Sequence, residues 1–323
     1  MNARVLFLAA LCVASTPARA IEGSTVAGPI GGTDIRSAQL PPPGLYGGLA
    51  ALWAEAYDFL GPDGSTTIPA LSEAHLQRYR AGAFLVWVPD FQLAGGSFGL
   101  FGLVPGGIEC GRLFALTPNR CISGFGDPYL EVAWSRYFGT PRPSRYPDAF
   151  PVLEGLTLAF GFGVVFPAGR YDPLVANLQG PTIGNNIWDF APNVAFTYVT
   201  KPIIADGTEI SAKLFWNNYL VNPATQFQTG TVVNLDFGVS EKIGRFQIGV
   251  GGFYAFQAED DKLFGVPVPP NGHRAEAMQI GPLIAYDMPE HLAVMKFKWL
   301  ESTIAVNTVK AHGFVVTLAK KLW

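Results

Sequence analysis

The chain has 323 residues, 49% hydrophobic and only 15% charged, with a formal net charge of −3. That balance, without any Lys/Arg run, excludes a basic nucleic-acid-binding surface. No stretch after residue 20 supplies the ~18 consecutive apolar residues of a membrane helix, yet apolar and aromatic residues abound to the end of the chain. A β-barrel resolves that conflict, because each of its strands needs only one apolar face.

Residues 1–20, MNARVLFLAALCVASTPARA, read as a signal peptide. Arg4 gives the positive start, Leu6 to Val13 the apolar stretch, and Ala18-Arg19-Ala20 the small-x-small cleavage site, so the mature chain is expected to begin at Ile21. A buried N-terminal strand or helix is the bland alternative. Cys12 follows Leu11 inside the apolar stretch, which does not suit lipidation. Residues 21–44 are extended and rich in Gly and Pro, and read as a periplasmic linker or an N-terminal plug entering the barrel. The barrel itself is assigned to 45–323.

From there the hydrophobic period is two. In 207–220, Thr208, Ile210, Ala212, Leu214, Trp216 and Leu220 share one face, and Glu209, Ser211, Lys213, Asn217 and Tyr219 the other. Residues 230–240 and 245–257 repeat the pattern. In 155–166 one face is large and apolar while the other holds Gly155, Ala159, Gly161 and Gly163, small residues that leave room in the lumen or let a plug pack closely. Twelve segments follow: 45–58, 75–88, 94–104, 127–138, 152–166, 187–200, 207–220, 228–240, 244–258, 274–288, 291–302 and 312–323. Fourteen is the alternative count. The expected fold is therefore all-β, a transmembrane antiparallel up-and-down barrel in the cell outer membrane. Short connections (200–207, 240–244, 288–291) alternate with longer ones (167–186, 221–227, 258–273, 303–311), as periplasmic turns alternate with outer loops. The connection 139–151 is long for a periplasmic turn. Tyr46, Tyr57, Trp87, Trp134, Trp188, Tyr198, Trp216, Tyr254, Tyr286 and Trp299 near segment ends suit aromatic girdles, though a sandwich core would also use them. The terminal Trp323 suits delivery to the outer-membrane insertion machinery.

Several strings occur in a familiar order: PPPGLY at 41–46, GFGDPYLE at 124–131, FPAGRYDP at 166–173, NLQGPTIGNNIW at 177–188, EISAKLFWN at 209–217, GVGGFYAFQAEDD at 249–261, GHR at 272–274 and IGP at 280–282. Through them the chain resembles the "putative MetA-pathway of phenol degradation" family of SphA-like outer-membrane proteins. The resemblance implies an outer-membrane barrel that passes small hydrophobic or aromatic molecules without a cofactor. The stretch NPATQFQTG at 222–230 lacks the family's usual Ser before its Gly, and GHR replaces the commoner Gly-Asn-Arg. Contacts from those outer loops are therefore not carried over.

Charge facing mid-bilayer lipid costs about 2–4 kcal/mol for Lys or Arg, so Glu209, Lys213, Asn217, Asp236, Arg245, Gln247, Lys296 and Lys298 are assigned to the lumen. They select permeants, or pair with one another and hold the barrel shut; their positions leave both open. Phe215 and Phe253 face inward with them, in a bore narrower than a general porin's. Cys110 and Cys121 are a candidate loop disulfide in an oxidising compartment. The GGSFG string around Ser97 matches a nucleophile elbow in form, but no helical pattern follows it. His75, His273, His291 and His312 form no metal motif, so no metal is expected. Glu259-Asp260-Asp261 reads as a solvated loop tip, with cation or lipopolysaccharide bridging as the sharper alternative. Passive uptake of small hydrophobic or aromatic compounds is thus the expected function. Its rivals are a lipid-modifying hydrolase and a structural barrel without transport. The expected partners are outer-membrane lipid, lipopolysaccharide and the permeant.

Overall fold

The computed structural model describes residues 28–66, 73–113, 117–146, 148–174, 180–269 and 272–323. The signal-peptide assignment and the Ile21 start lie outside them. Twelve strands form the wall: β1 (Gly44–Leu60), β2 (Glu73–Val88), β3 (Gly96–Arg112), β4 (Tyr129–Arg142), β5 (Val152–Val165), β6 (Asp189–Val199), β7 (Thr208–Tyr219), β8 (Val232–Ile243), β9 (Phe246–Gln257), β10 (Glu276–Met288), β11 (Ala293–Val306) and β12 (Thr308–Lys321). Each pairs antiparallel with the next, and β1 closes on β12 with Tyr46 opposite Lys321 and Leu60 opposite Thr308. Closure leaves no open sheet edge, which is what a lipid environment demands of strands.

The alternation along each strand sets the two faces. Ile210, Leu214 and Trp216 of β7 are exposed on the outside, while Glu209, Lys213 and Asn217 are buried inside. Phe246, Ile248 and Val250 of β9 point outward in the same way, with Gln247 buried. So do Phe160 and Phe162 of β5, and Met295 and Phe297 of β11. A closed barrel whose large apolar side chains face out is built to sit in lipid, and this one is an outer-membrane barrel. Among the described residues no helix is long and apolar enough to cross a membrane; the strands do the crossing. Trp87 and Tyr198 lie outward at the short-turn end, Trp188 and Trp216 outward at the other, as two aromatic belts require.

The start of β1 and the C-terminus meet at the short-turn, periplasmic side, where Leu45 donates its N–H to the Trp323 carbonyl at 2.8 Å. On the outer side β3 outruns β4. Its Ser97–Leu103 pair with β4, whereas Gly106–Gly111 pair with an added strand, Arg120–Phe125. The Cys110–Cys121 disulfide ties that outer hairpin. A small sheet of Phe227–Gln228, Lys262–Leu263 and Val266–Pro267 stands above β7 to β10.

Two sequence expectations change. Residues 303–311 are strand rather than loop: β11 runs to Val306 along β10 and β12 starts at Thr308 along β1, with Asn307 at φ 50° between them, although β11 and β12 pair with each other only as far as Glu301 and His312. The β-branched residues of TIAVNTV simply extend both strands. The connection after β4 is shortened because the strand continues to Arg142, and the remaining turn packs against the neighbouring one through Asp206.

Candidate functional site

Residues 28–43 run down the inside of the barrel, from its outer end at Gly28 to the periplasmic mouth, where the chain turns into β1. The inward polar side chains of β7 to β11 hold this segment. Asp236 accepts from the Gly31 N–H at 2.7 Å, and from the Thr33 N–H and hydroxyl at 2.9 Å each. The Lys296 ammonium donates to Asp34 Oδ1 at 2.6 Å, and Lys298 donates to its other oxygen. Glu209 accepts from the Arg36 N–H at 2.6 Å. The Arg36 guanidinium donates to Gln247 at 2.9 Å and Asp287 at 3.0 Å. Ser37 N–H donates to Ser211 at 2.9 Å and Ala38 N–H to Thr197 at 3.1 Å.

Small inward residues make the close approach possible. Ala38 packs against Ala159 of β5 and Ala195 of β6, and a Cβ at Gly99 would lie 2.7 Å from Leu40. The other small positions of β5 serve the wall. A Cβ at Gly163 would meet the Tyr129 hydroxyl at 2.2 Å, and one at Gly161 the Asn193 amide at 2.5 Å.

Because the segment lies on the polar side, it leaves a cavity of about 610 Å³ against the opposite wall. That wall is apolar: Leu52, Phe84, Val86, Phe101 and Leu103, with Leu40 from the segment itself. Ring centroids of Phe84 and Phe101 are 5.8 Å apart, and those of Phe101 and Tyr129 6.0 Å. The charged lining is paired. Lys213 donates to Glu131 at 2.5 Å and stands 4.9 Å from the Phe215 ring centroid. Tyr129 donates to the other Glu131 oxygen at 2.5 Å. An apolar cavity of ~150 Å³ already takes up benzene, so this space admits a single-ring compound with room to move.

The outer end of the cavity is covered. Arg80, held by Glu109 at 3.0 Å, donates to the Thr182 carbonyl at 2.6 Å, and Ile183 lies beside it. Asp127 fixes this cover by accepting from the N–H groups of Gly169 and Asn185 at 2.8 and 2.6 Å.

Of the residues assigned to the lumen from sequence, Glu209, Asp236, Gln247, Lys296 and Lys298 are brought together around the N-terminal segment. Lys213 lines the cavity, and Asn217 lies behind Gly28. Phe253 also faces the segment, against Gly31. Arg245 is corrected. Gly244 and Arg245 are the two-residue turn between β8 and β9, so Arg245 leaves the strand alternation and reaches the Asp148 carbonyl and Glu290 at the periplasmic rim. Sequence reading missed Asp34, Arg36, Glu131 and Asp287, the partners of the residues it found. The only available signal was that Asp34 and Arg36 are charges in an otherwise uncharged stretch, 28–44. Ser97 faces Gln92 and Ser135 across its strand pairs, whereas His75 pairs with Arg112 at the far end of β3. Among the described residues no three or more His, Cys, Asp or Glu side chains converge as a metal cluster.

A family model described as "Putative MetA-pathway of phenol degradation" matches residues 60–318. No curated protein matches the chain. Among solved structures, the COG4313 outer membrane channel from Pseudomonas putida F1 superposes with a TM-score of 0.70 at 12% identity, covering 91% of this chain and 99% of that one. At that identity the likeness speaks for the fold. A TodX monoaromatic hydrocarbon channel mutant reaches a TM-score of 0.39 at 11% identity, covering 87% and 91%, too low to carry an argument.

Proposed function

Because the chain belongs to the family described as "Putative MetA-pathway of phenol degradation", we propose that it is an outer-membrane channel for passive uptake of small hydrophobic compounds, single-ring aromatics among them. The observation that carries this reading is the division of the lumen. The N-terminal segment saturates the polar half of the wall and acts as a plug, leaving the apolar half to line a cavity of about 610 Å³. Charges bordering the cavity are paired, so the space offers burial of apolar surface, ~25 cal/mol per Å², and little attraction for ions. The Pseudomonas putida F1 protein of this fold is itself described as an outer membrane channel.

The test is uptake of radiolabelled toluene and phenol at low concentration by a deletion strain and its complemented parent. Slower uptake in the deletion strain is expected. Equal uptake across a panel of hydrocarbons and phenols rejects the proposal, and a large unselective conductance in planar bilayers replaces it with a general porin.

A further inference from the structure

At the outer ends of β6 and β7, behind the N-terminal segment, buried oxygen atoms collect with few donors. Neither carboxylate oxygen of Asp189 nor the amide oxygen of Asn217 has a partner in good hydrogen-bond geometry, the Asn218 N–H acting on the Asp189 carboxylate from beyond it, and both residues are 0% exposed. Strand register brings them together. Asp189 stands opposite Tyr219, and Asn217 precedes Tyr219 by two residues on the same inward face. Their oxygens aim at one place: the β-carbon position that Gly28 lacks lies 2.8 Å from Asp189 Oδ2 and 2.9 Å from Asn217 Oδ1. A second buried carboxylate lies close by. Asp261 is also 0% exposed with one unpartnered oxygen, and it and Asp189 both act electrostatically on Tyr219. A cluster of this kind, buried and without a Lys or Arg ion pair, is costly in its ionised form unless a proton or another cation neutralises it.

We propose that Asp189 and Asn217 are the protein ligands of a calcium ion at the outer end of the lumen, with Asp261 adding negative charge beyond Tyr219. A hard cation suits this donor set. Calcium takes carboxylates in one- or two-oxygen fashion, amide oxygens and waters in flexible geometry, whereas magnesium demands a near-ideal octahedron. One carboxylate and one amide make a weak site, so affinity falls in the ~10⁻⁴–10⁻³ M class of extracellular modules. That range fits a site on the side of the barrel open to the medium. The bound ion ties β6 and β7 together beside Gly28 and so fastens the outer end of the N-terminal segment.

The experiment uses the full-length mature protein in detergent, stripped with EDTA and titrated with CaCl₂. Calorimetry reads binding and thermal unfolding reads stability. The wild type is expected to bind one ion and to gain several degrees in Tm at 10 mM CaCl₂. Asp189→Asn keeps the shape of the side chain and removes its charge. It is expected to fold, to be no less stable than the stripped wild type, and to lose the calcium response. Gly28→Ala fills the space between the two oxygens and is expected to weaken binding at least tenfold. Absence of a calcium response in the wild type overturns the proposal. So does an equal response in Asp189→Asn, which moves the ion elsewhere, for instance to Glu259 and Asp260 on the outer loop.

Discussion

The Lys296 ammonium donates to the Asp34 carboxylate at 2.6 Å across 262 residues of chain. Lys298, buried in the lumen, holds the other oxygen of the same carboxylate. One acid in the N-terminal segment therefore compensates two lysines of β11. Removing one partner of such a buried set leaves uncompensated charge, at a cost of ~3–5 kcal/mol. Asp34→Ala is expected to free the segment from the wall. Single-channel conductance should rise above wild type, and the urea unfolding midpoint should fall. Adding Lys296→Met and Lys298→Met should restore much of the stability but not the closed conductance. An Asp34→Ala channel that conducts like wild type would show that the segment does not limit the bore.

The apolar wall makes a separate prediction. Phe101 stands between Phe84 and Tyr129 at ring distances of 5.8 and 6.0 Å. Phe101→Ala removes the middle ring and widens the cavity. Full deletion of a buried Phe costs ~3–5 kcal/mol; Phe101 faces open space on one side, so the loss here should be nearer ~1–2 kcal/mol. Uptake of toluene is expected to drop about tenfold while that of naphthalene drops less, because binding follows apolar contact area. Equal loss for both compounds would assign Phe101 a purely structural role.

How much of this was legible in the sequence depends on the distance over which each signal acts. The wall was readable because strand alternation is local and charge in lipid is costly. Glu209, Lys213 and Asn217 could not face out beside Ile210, Leu214 and Trp216. Single-residue turn geometry was less readable. Asn307 at φ 50° is the one residue between two strands that splay apart onto their outer neighbours, where a loop is the local expectation, and Gly244-Arg245 takes Arg245 out of its strand. The partners of the lumen charges were illegible for a different reason. Asp34 and Lys298, or Arg36 and Asp287, lie more than 250 residues apart, and no local pattern marks such a pair. Nor does any local pattern say that the polar half of the lumen is consumed by the chain's own N-terminal segment.

The disulfide predicts a local effect. Cys110, at the outer end of β3, faces Cys121 of the added strand Arg120–Phe125, which lies outside the twelve-strand wall. Closing so short a loop is worth ~2–3 kcal/mol by chain entropy. The gain falls on the hairpin, since β3 is also held by β2 along His75–Trp87. Cys121→Ser, or treatment with dithiothreitol, should speed tryptic cleavage at Arg112 and Arg120 at least tenfold. The global unfolding midpoint should move little. A large drop in that midpoint would mean that the hairpin nucleates the whole outer half of the barrel.

At the periplasmic end, Asp206 predicts a pH dependence. Burial alone would raise its carboxyl's proton affinity. The Ser144 hydroxyl, the Arg145 N–H at 2.9 Å, and the nearby charges of Arg142 and Lys242 outweigh burial and hold the carboxyl below the usual range. A depressed carboxyl stabilises the fold fully above the unfolded-state value of about 3.9 and loses that contribution as pH falls through the folded-state value. The turn after β4 should therefore stay docked on residues 200–207 at neutral pH and come away only in acid below about pH 4. Asp206→Asn removes the carboxylate at every pH. Its urea midpoint should be lower than wild type at pH 7, and the gap should close as pH falls through the lowered folded-state value of Asp206. Parallel curves for the two proteins over that interval would show that Asp206 does not set the acid limit of this turn.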